Sequence, residues 1–253
     1  MKNVILSARN VCKTFSQGGT DTQILKSVSA DIYEGDFTVI MGASGAGKST
    51  LLYSLSGMNG ITGGEVLFDG EKISGLSEKK QAKLRSEHFG FVFQQTHLVS
   101  NLTLFENVAV TGYVGKNRTV NSVREKALEL LRQMNVDNAK DRLPSQVSGG
   151  EAQRAAIARA MINSPRLIFA DEPTGALNKS NSAEVMCLLS ELNRNGQSIL
   201  MVTHDVRAAL CGNRVLYMED GNILDELNLP PYSDGEEKSR EQQVNEWLSA
   251  LRW

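Results

Sequence analysis

The sequence lacks any apolar run that approaches the roughly 20 residues needed to cross a bilayer. The start of the chain, Met1 to Leu6, has too short an apolar part for a secretory signal peptide. Cysteines are few: Cys12, Cys187 and Cys211 are odd in number and widely spaced, without the spacing of a metal site or a redox pair. These absences predict a cytosolic, reducing location, and any membrane role would depend on a partner.

An excess of positive charge is also missing. Lys and Arg number 27 against 29 Asp and Glu, which gives a net charge of −2. Proteins that bind nucleic acid through bulk electrostatics carry a basic excess, so no nucleic-acid partner is expected. The 253 residues, 41% of them hydrophobic, are enough for a globular protein with a sizeable core. No internal repeat or low-complexity linker interrupts the chain.

The order of predicted elements indicates an α/β fold. Short apolar runs rich in β-formers predict strands at 36–40, 65–68, 89–93, 167–170 and 198–202. The last two are continuous apolar runs, typical of central strands covered on both faces. Residues 215–224 predict a hairpin that turns at Asp220-Gly221. The stretch from about 77 to 165 has helical character, and it includes a predicted capping box at Ser122 and Glu125 followed by apolar residues at helical spacing.

A phosphate-binding pattern, G-x-x-x-x-G-K-[ST], follows the first of these strands and opens a predicted helix. Backbone N–H groups and the helix N-terminus would therefore face the phosphates. Lys48 would add positive charge toward the β- and γ-phosphates, and the Ser49 hydroxyl would ligate Mg²⁺. A chance Gly-rich turn gives this pattern in roughly one chain in a thousand. The predicted nucleotide-binding residues are Gly42, Ala43, Ser44, Gly45, Ala46, Gly47, Lys48, Ser49 and Thr50.

Two acids end the apolar strand at 167–170. Asp171 and Glu172 would lie at the carboxyl edge of a parallel sheet, where such folds bind ligands. Asp171 would hold Mg²⁺, usually through water, and Glu172 would polarise the water that attacks the γ-phosphate. By itself an apolar run ending in Asp-Glu is more often a strand entering solvent. The phosphate loop upstream is what favours the catalytic interpretation.

Residues 147–151, Val-Ser-Gly-Gly-Glu, followed by Ala152-Gln153-Arg154, resemble the LSGGQ signature of ABC ATPases, with Val for Leu and Glu for Gln. The resemblance covers about residues 3–225, with the family's motifs in the family's order. It implies a P-loop NTPase core of ABC ATPase type with an antiparallel β-subdomain and a helical insert at about 77–165. The ATPase domain would then span 3–227, and 228–253 would be a linker with an amphipathic C-terminal helix.

The resemblance also implies roles for single residues. Gln94 matches the lid glutamine that senses Mg²⁺ and moves with a permease, and His204 matches the switch histidine that contacts the γ-phosphate. Phe15 stands where the family has an aromatic residue, most often Tyr, stacked on adenine. Without the other motifs, a lone His or Phe would more often be structural. A helix is expected to begin near Glu151, and the signature residues implied to contact the ATP of a second subunit are Ser148, Gly149, Gly150 and Glu151.

The partners implied by the resemblance are a second ATPase subunit, in a head-to-tail dimer that sandwiches two ATP molecules, and a separate membrane permease at the cytoplasmic face of the membrane. The apolar stretch 96–102 would either receive the permease or pack under the helical insert. Residues 175–178, Gly-Ala-Leu-Asn, resemble the D-loop of the family. Asn178 departs from the family, which usually has Asp at this position. The departure puts the coupling across the dimer in question, and not nucleotide binding.

Subgroup features lie around the acidic pair. The run Asp-Glu-Pro-Thr-Gly at 171–175 resembles macrolide exporters, lipoprotein-release ATPases and bacitracin-resistance efflux systems, and Gly-Ala-Leu at 175–177 favours the antimicrobial-peptide resistance branch. An ATPase of a lipoprotein-release or cell-division complex is the alternative. A soluble ABC protein acting on DNA or the ribosome is disfavoured by the single motif set and the short interval from Gln94 to Ser148. A non-hydrolysing subunit is disfavoured by intact Glu172 and His204.

The tail after Asn228 carries no family motif. Pro230-Pro231 and residues 233–235 predict a linker, and the residues after it form an apolar helical stripe opposite polar residues that include Arg252. The stripe comprises Val244, Trp247, Leu248 and Leu251. Such stripes usually face their own domain, so packing there is expected, and binding to a partner is the alternative.

Overall fold

The computed structural model describes residues 2–114, 118–233 and 235–251. Its strands are β1 (Val4–Gln17), β2 (Thr20–Tyr33), β3 (Phe37–Met41), β4 (Gly63–Phe68), β5 (Glu71–Lys72), β6 (Phe89–Phe93), β7 (Leu167–Asp171), β8 (Ser198–Thr203), β9 (Arg214–Glu219) and β10 (Asn222–Asn228). Its α-helices are α1 (Lys48–Leu55), α2 (Glu78–His88), α3 (Leu104–Tyr113), α4 (Val120–Gln133), α5 (Gly149–Met161), α6 (Lys179–Arg194), α7 (Val206–Ala209) and α8 (Glu237–Ala250).

The chain divides into two compact units. The first comprises the residues up to Gln81 and those from Leu192 onward, and the second comprises Ala82–Glu191. The first unit contains an antiparallel sheet with the strand order β2-β1-β4-β5. Strand β1 pairs with β2 on one side and with β4 on the other. Apolar residues of this sheet, including Ile5, Val11 and Leu25, are fully buried.

The first unit also contains the strand that leads into the phosphate loop. Strand β3 pairs in parallel with β8 on one side and with β9 on the other. Strand β9 turns at Asp220-Gly221 into antiparallel β10, as the sequence predicts. All residues of β3 and β8 are buried, which is the pattern of strands covered on both faces. The rigid core therefore fixes the point at which the phosphate loop begins.

The second unit is built on one strand pair and several helices. Strands β6 and β7 are parallel, with Phe89 opposite Leu167 and Phe93 opposite Asp171. Helices α3, α4 and α5 pack on one another, and α5 packs on β6. Helix α5 turns small side chains inward, since Ala155, Ala156 and Ala158 are fully buried. The predicted apolar face of α4 is confirmed: Val123, Ala127, Leu130, Leu131 and Met134 are buried.

Two helix starts differ from the sequence-based expectation. The capping box at Ser122 and Glu125 is wrong, because Thr119 caps α4 and its Oγ1 accepts the Ser122 N–H at 3.1 Å. The observed cap, Thr119, lies three residues before Ser122, and its pattern Thr-x-x-Ser lacks the acidic residue of a capping box. The signature helix, expected to begin near Glu151, begins at Gly149 with Ser148 as its N-cap. The two glycines therefore form its first turn.

The C-terminal helix α8 packs on its own unit, the arrangement that its apolar stripe favours. Val244 and Leu248 are buried. Trp247 lies edge-on to Tyr217 with 6.3 Å between ring centroids, and its Nε1 donates to Asp225 Oδ2 at 2.8 Å. Residues Asp234 of the predicted linker and Arg252 of the polar face lie outside the described residues. In the ranges that the structure describes, no helix combines the length and hydropathy that a bilayer span requires.

Candidate functional site

The phosphate loop is shaped by glycines at its two ends. A Cβ added at Gly42 would lie 2.0 Å from the carbonyl oxygen of Met218, so a larger residue cannot follow β3 here. Gly47 is the N-cap of α1 with φ of 100°, in the left-handed region that glycine adopts without strain. The N–H of Gly221, in the β9–β10 turn, donates to the Ala46 carbonyl at 3.1 Å and braces the loop from outside. The first turn of α1 thus directs its N–H groups toward the loop.

Lys48 is held inside this loop. Its side chain is 6% exposed, and its Nζ donates to the carbonyl oxygens of Gly42 at 2.7 Å and Ala43 at 2.9 Å. The loop therefore joins a positive charge to a helix N-terminus in one short segment. Both features favour an anion.

Phe15, the predicted adenine-stacking residue, is exposed at 44% on β1. The Lys13 ammonium lies 4.8 Å from the centroid of its ring and is itself fixed by a 2.6 Å hydrogen bond to the Gly60 carbonyl. The Phe15 ring therefore makes a cation–π contact with Lys13. An exposed aromatic ring on a strand is available for stacking by a planar ligand.

His204 follows β8 directly and is exposed. The next residue, Asp205, caps α7: its Oδ1 accepts the Arg207 N–H at 2.9 Å, and its own N–H donates to Thr203 Oγ1 at 3.0 Å. His204 therefore lies between the end of a buried strand and the start of a one-turn helix. The placement of the imidazole depends on both.

The acidic pair lies at the carboxyl end of β7. Because Asp171 is opposite Phe93 in the parallel register, Gln94 and Glu172 both leave the strand pair at the same end. Glu172 has φ of 45°, a left-handed conformation that costs a non-glycine residue on the order of 1–3 kcal/mol and is concentrated at functional sites. The residue predicted to be the catalytic base is thus one of eight described non-glycine residues with positive φ.

Gln94 packs against the start of the D-loop. A Cβ added at Gly175 would lie 2.9 Å from Gln94 Nε2, so the amide rests on the Gly175 backbone. A side chain at residue 175 would displace it. The two segments, 94 and 175, are therefore in direct contact within the second unit.

The signature begins α5 with a capping box. The Glu151 Oε2 accepts the Ser148 N–H and the Ser148 hydroxyl, both at 2.8 Å, and the Glu151 N–H donates to Ser148 Oγ at 3.2 Å. The Ser148 N–H, and then its hydroxyl, hold the pKa of the Glu151 carboxyl below its usual value. Glu in place of Gln therefore keeps the cap and adds a negative charge to the first turn.

The signature also packs against the D-loop and the helix after it. A Cβ at Gly150 would lie 2.6 Å from Asn181 Cγ, and one at Gly149 would lie 3.4 Å from Leu177 Cδ2. Asn178 Oδ1 accepts the Asn181 N–H at 3.0 Å, so Asn178 acts as an N-cap for α6. Asn performs this capping as well as Asp would, which explains how the departure from the family is compatible with the fold.

Two residues without a predicted role connect α5 to the Gln94 segment. Gln153, 1% exposed, donates from Nε2 to the Phe93 carbonyl at 2.9 Å. Arg159 donates to the carbonyls of Thr96 at 2.7 Å and His97 at 2.8 Å, and desolvation lowers the pKa of its guanidinium. The signature helix thus holds the main chain on both sides of Gln94. The sequence places both residues on a helix, but it does not show that their partners are main-chain carbonyls.

The predicted site residues are divided between the units. The phosphate loop, Phe15 and His204 belong to the first unit, and Gln94, the signature and the acidic pair belong to the second. Within the second unit, the β6–β7 register and the contacts of Gly149, Gly150 and Gly175 connect the predicted motifs to one another.

Comparison with known proteins gives a family match over residues 25–175, to the model described as ABC transporter. Among solved structures, the chain is similar to the cassette MJ0796, described as a bacterial ABC transporter cassette in dimeric form, at 38% identity with a TM-score of 0.83. The match covers 90% of this chain and 100% of that chain. A further structure of that cassette, described as a dimeric post-hydrolysis state bound to ADP and Pi, matches with the same values.

A third solved structure has lower identity and similar coverage. It is cbiO1 from Clostridium perfringens, described as part of the ABC transporter complex cbiONQ, at 28% identity with a TM-score of 0.80. The match covers 96% of this chain and 93% of that chain. The similarity extends over nearly the whole length of each protein.

Proposed function

The chain belongs to the ABC transporter family and is an ATPase of that family, and from this premise we propose that it binds MgATP, hydrolyses it in a head-to-tail dimer and powers a separate membrane permease. The observation that carries the proposal is the construction of the phosphate loop, in which Gly42 and Gly47 position the backbone and Lys48 at the start of α1. The description of the MJ0796 cassette as bound to ADP and Pi supports nucleotide binding by this chain.

Nucleotide binding is proposed for the loop 42–50 and for Phe15. The loop amides and the Lys48 ammonium bind the phosphates, and the Phe15 ring stacks on adenine. Ser49, Asp171 and Gln94 offer hydroxyl, carboxylate and amide oxygens, the hard donors that Mg²⁺ prefers. The ion would neutralise charge on the β- and γ-phosphate oxygens. Lys48→Ala is expected to lose most of the affinity for ATP in a direct binding assay.

Hydrolysis is proposed to use Glu172 as the base that orients and polarises the attacking water, with His204 in contact with the γ-phosphate. In Glu172→Gln the neutral amide is a poor base, so this variant is expected to retain ATP and accumulate as a closed dimer. The measurement is steady-state phosphate release together with the fraction of dimer at saturating ATP. Near-normal turnover in Glu172→Gln would contradict the assignment of the base.

The dimer is proposed because, in the family's arrangement, the signature presents a hydroxyl and a helix N-terminus to the ATP of a second subunit, which we propose to be identical. The MJ0796 cassettes, described as dimeric, support it. Mixing Ser148→Arg subunits with Lys48→Ala subunits leaves one intact composite site, so the mixture should hydrolyse ATP when neither variant does alone. Loss of ATP binding by an isolated Ser148→Arg monomer would contradict the head-to-tail arrangement.

The permease surface is proposed to include the loop 96–102, at the cytoplasmic face of the membrane. Asn107, 1% exposed, holds this loop by accepting the Val99 N–H at 2.7 Å and donating to the Val99 carbonyl at 3.1 Å. Val99 is displayed at 47% exposure, whereas Leu98 and Leu102 are half-buried. The description of cbiO1 as part of a transporter complex supports such a partner.

Val99→Asp tests this surface, with Val120→Asp as the matched control because Val120 is exposed at 67% at the start of helix α4 in the same unit. We expect Val99→Asp to lose co-purification with the permease while its basal hydrolysis is intact, and Val120→Asp to keep both. Assembly and transport at normal levels in Val99→Asp would remove the loop from the permease surface.

The transported substrates are proposed to be antimicrobial peptides or related compounds, exported by efflux. The proposal depends on the sequence resemblance at 171–177, and an ATPase of a lipoprotein-release or cell-division complex shares part of this pattern. A Glu172→Gln allele in the source cell should raise sensitivity to bacitracin-type peptides. Defective lipoprotein sorting or division without a change in peptide sensitivity would favour the alternative.

A further inference from the structure

Arg240, on the C-terminal helix α8, is the most deeply buried charged side chain among the described residues, and the proposed chemistry does not use it. It is 2% exposed, and its guanidinium donates to three main-chain carbonyls: Leu210 at 2.8 Å, Pro230 at 2.7 Å and Gly212 at 2.5 Å. Its Cζ also lies 5.5 Å from the centroid of the Tyr232 ring. A buried charge is costly unless its donors are satisfied, so these carbonyls define its place.

Two of the three carbonyls, those of Leu210 and Gly212, lie in the turn that ends α7. This helix has four residues, Val206–Ala209, with Leu210 as its C-cap. A helix so short has no intrinsic stability, because nucleation is not offset by propagation, and its last carbonyls have no partner within the helix. The carbonyls of Val206, Ala208 and Ala209 accept the N–H groups of the turn that follows, Leu210 to Gly212. Arg240 binds the Leu210 and Gly212 carbonyls of this turn and adds a positive charge at the carboxyl end of the helix, where the helix dipole favours a cation.

The turn after α7 also contacts strand β3. A Cβ at Gly212 would lie 2.6 Å from Val39 Cγ2, and the N–H of Asn213 donates to the Phe37 carbonyl at 3.1 Å. The turn therefore packs on β3, while Arg240 of the C-terminal helix donates hydrogen bonds to its carbonyls. The remaining end of α7 is its N-terminus, where Asp205 is the cap and His204 the residue before it. Any shift of α7 would move His204.

We propose that Arg240 is a positioning residue for ATP hydrolysis: by capping α7, the C-terminal helix holds His204 in the place that γ-phosphate chemistry requires. The inference rests on the proposed role of His204. It gives the segment after Asn228 a part in turnover, although that segment carries none of the family motifs.

The test compares Arg240→Met, Arg240→Lys and the control Lys238→Met in the full chain. Lys238 is an exposed cation on the same helix. Removing the three donors in Arg240→Met should lower kcat for MgATP by about ten- to a hundredfold, the scale expected when a catalytic group is misplaced by about 1 Å, with KM changed less than about twofold. Arg240→Lys, which restores the charge and part of the hydrogen bonding, should recover part of kcat, and Lys238→Met should match the wild type.

Amide hydrogen exchange separates positioning from general stability. In Arg240→Met we expect exchange at 206–212 to accelerate by about tenfold or more, because local opening of α7 becomes easier, while β3 and β8 remain protected. Equal acceleration in β3 and β8 would overturn the proposal in favour of a purely structural role. Unchanged exchange at 206–212 with unchanged kcat would also overturn it.

A double-mutant cycle tests whether the effect passes through His204. Adding Arg240→Met to His204→Ala should not reduce kcat further, and an equal additional loss would overturn the proposal. Full turnover in His204→Ala would overturn the proposed role of His204 and, with it, this inference. Full turnover in Arg240→Met while His204→Ala is inactive would overturn only the inference.

Discussion

Two helices of the second unit begin with the same capping device. At the start of α3, Glu106 Oε2 accepts the Thr103 N–H at 2.8 Å and the Thr103 hydroxyl at 2.9 Å, and the Glu106 N–H donates to Thr103 Oγ1 at 3.2 Å. At the start of α5, Ser148 and Glu151 make the same three bonds at 2.8, 2.8 and 3.2 Å. Local hydrogen bonding alone does not distinguish the two.

The surroundings of the two starts differ. The N–H groups of Leu104 and Phe105 donate to the carbonyls of Arg142 and Lys140, both at 2.9 Å, so the first turn of α3 is closed by protein. Helix α5 starts with Gly149 and Gly150, and no hydrogen bond from their N–H groups to the rest of the described chain is present. The start of α5 is therefore open, in the sense that its first two amides are not bonded within the described chain, whereas the start of α3 is closed, and a capping box alone does not distinguish the two.

The largest effect should come from filling the open start. Ser148→Arg places a long side chain over the first turn of α5, and hydrolysis should fall on the order of a hundredfold, as when a donor to a reacting phosphate or oxyanion is lost. Thr103→Arg, at the closed start, should leave hydrolysis by the isolated subunit within about twofold. Steady-state phosphate release by the two purified variants is the measurement. Similar activity in both would remove the distinction between the two starts.

A smaller change should separate capping from chemistry. Ser148→Ala and Thr103→Ala each remove an N-cap and should each lower the free energy of unfolding by about 1 kcal/mol. Only Ser148→Ala should also lower hydrolysis, by about tenfold, because only the Ser148 hydroxyl is proposed to contact the ATP of a second subunit. Urea unfolding and phosphate release on the same samples provide the comparison. A tenfold loss in Thr103→Ala would show that the cap matters to turnover only through stability.

The distinction between these starts was not available from the sequence. Thr103 and Glu106 match the capping pattern as well as Ser148 and Glu151 do, and only the fold shows that the carbonyls of Lys140 and Arg142 close one of them. Every residue has a main-chain carbonyl, so the residue types do not show which carbonyl a given donor will contact. The contacts of Gln153, Arg159 and Arg240 were missed for the same reason.

What the sequence does predict is the part of the fold governed by hydropathy. Continuous apolar runs gave the strands at 89–93, 167–170 and 198–202 within one residue at either end, and the α/β fold of ABC ATPase type is confirmed by the solved cassettes. The start of α4 was misplaced because Thr119 and Ser122 are both good caps, and local propensity does not choose between them. The roles of the individual site residues remain predictions.

The charge at the open start offers a finer test of the comparison. Glu151 adds a negative charge beside the Gly149 and Gly150 amides, where it would compete with the phosphate that is proposed to bind there. Glu151→Gln keeps an acceptor for the cap and should lower the ATP concentration needed for dimer formation by roughly threefold, in the range expected for a charge at a helix N-terminus. Glu106→Gln should leave that concentration unchanged. Size-exclusion chromatography over an ATP titration measures both, and a decrease in Glu106→Gln would contradict the local explanation.

The smallest effect should be the pH dependence of the two caps. The Thr103 and Ser148 N–H groups, followed by the hydroxyls, lower the pKa values of Glu106 and Glu151 from the ordinary value of 4.5. A lowered folded-state pKa stabilises the fold above 4.5, and this contribution is lost as the pH falls through the lowered value. The stability difference between wild type and Ser148→Ala or Thr103→Ala should therefore shrink below pH 4.5. Urea midpoints at neutral and acidic pH check it, and a difference independent of pH would contradict the role of the carboxylates.

Asn178 has a consequence for how this protein can change over generations. The helix α6 needs only a side-chain oxygen at this position to accept the Asn181 N–H, and Asn, Asp, Ser and Thr all provide one at similar cost. Folding therefore exerts little selection among these four residues, and a single-base change in the gene can add or remove the D-loop charge without an unstable intermediate. Selection for ATP turnover can therefore change residue 178 almost independently of selection for folding.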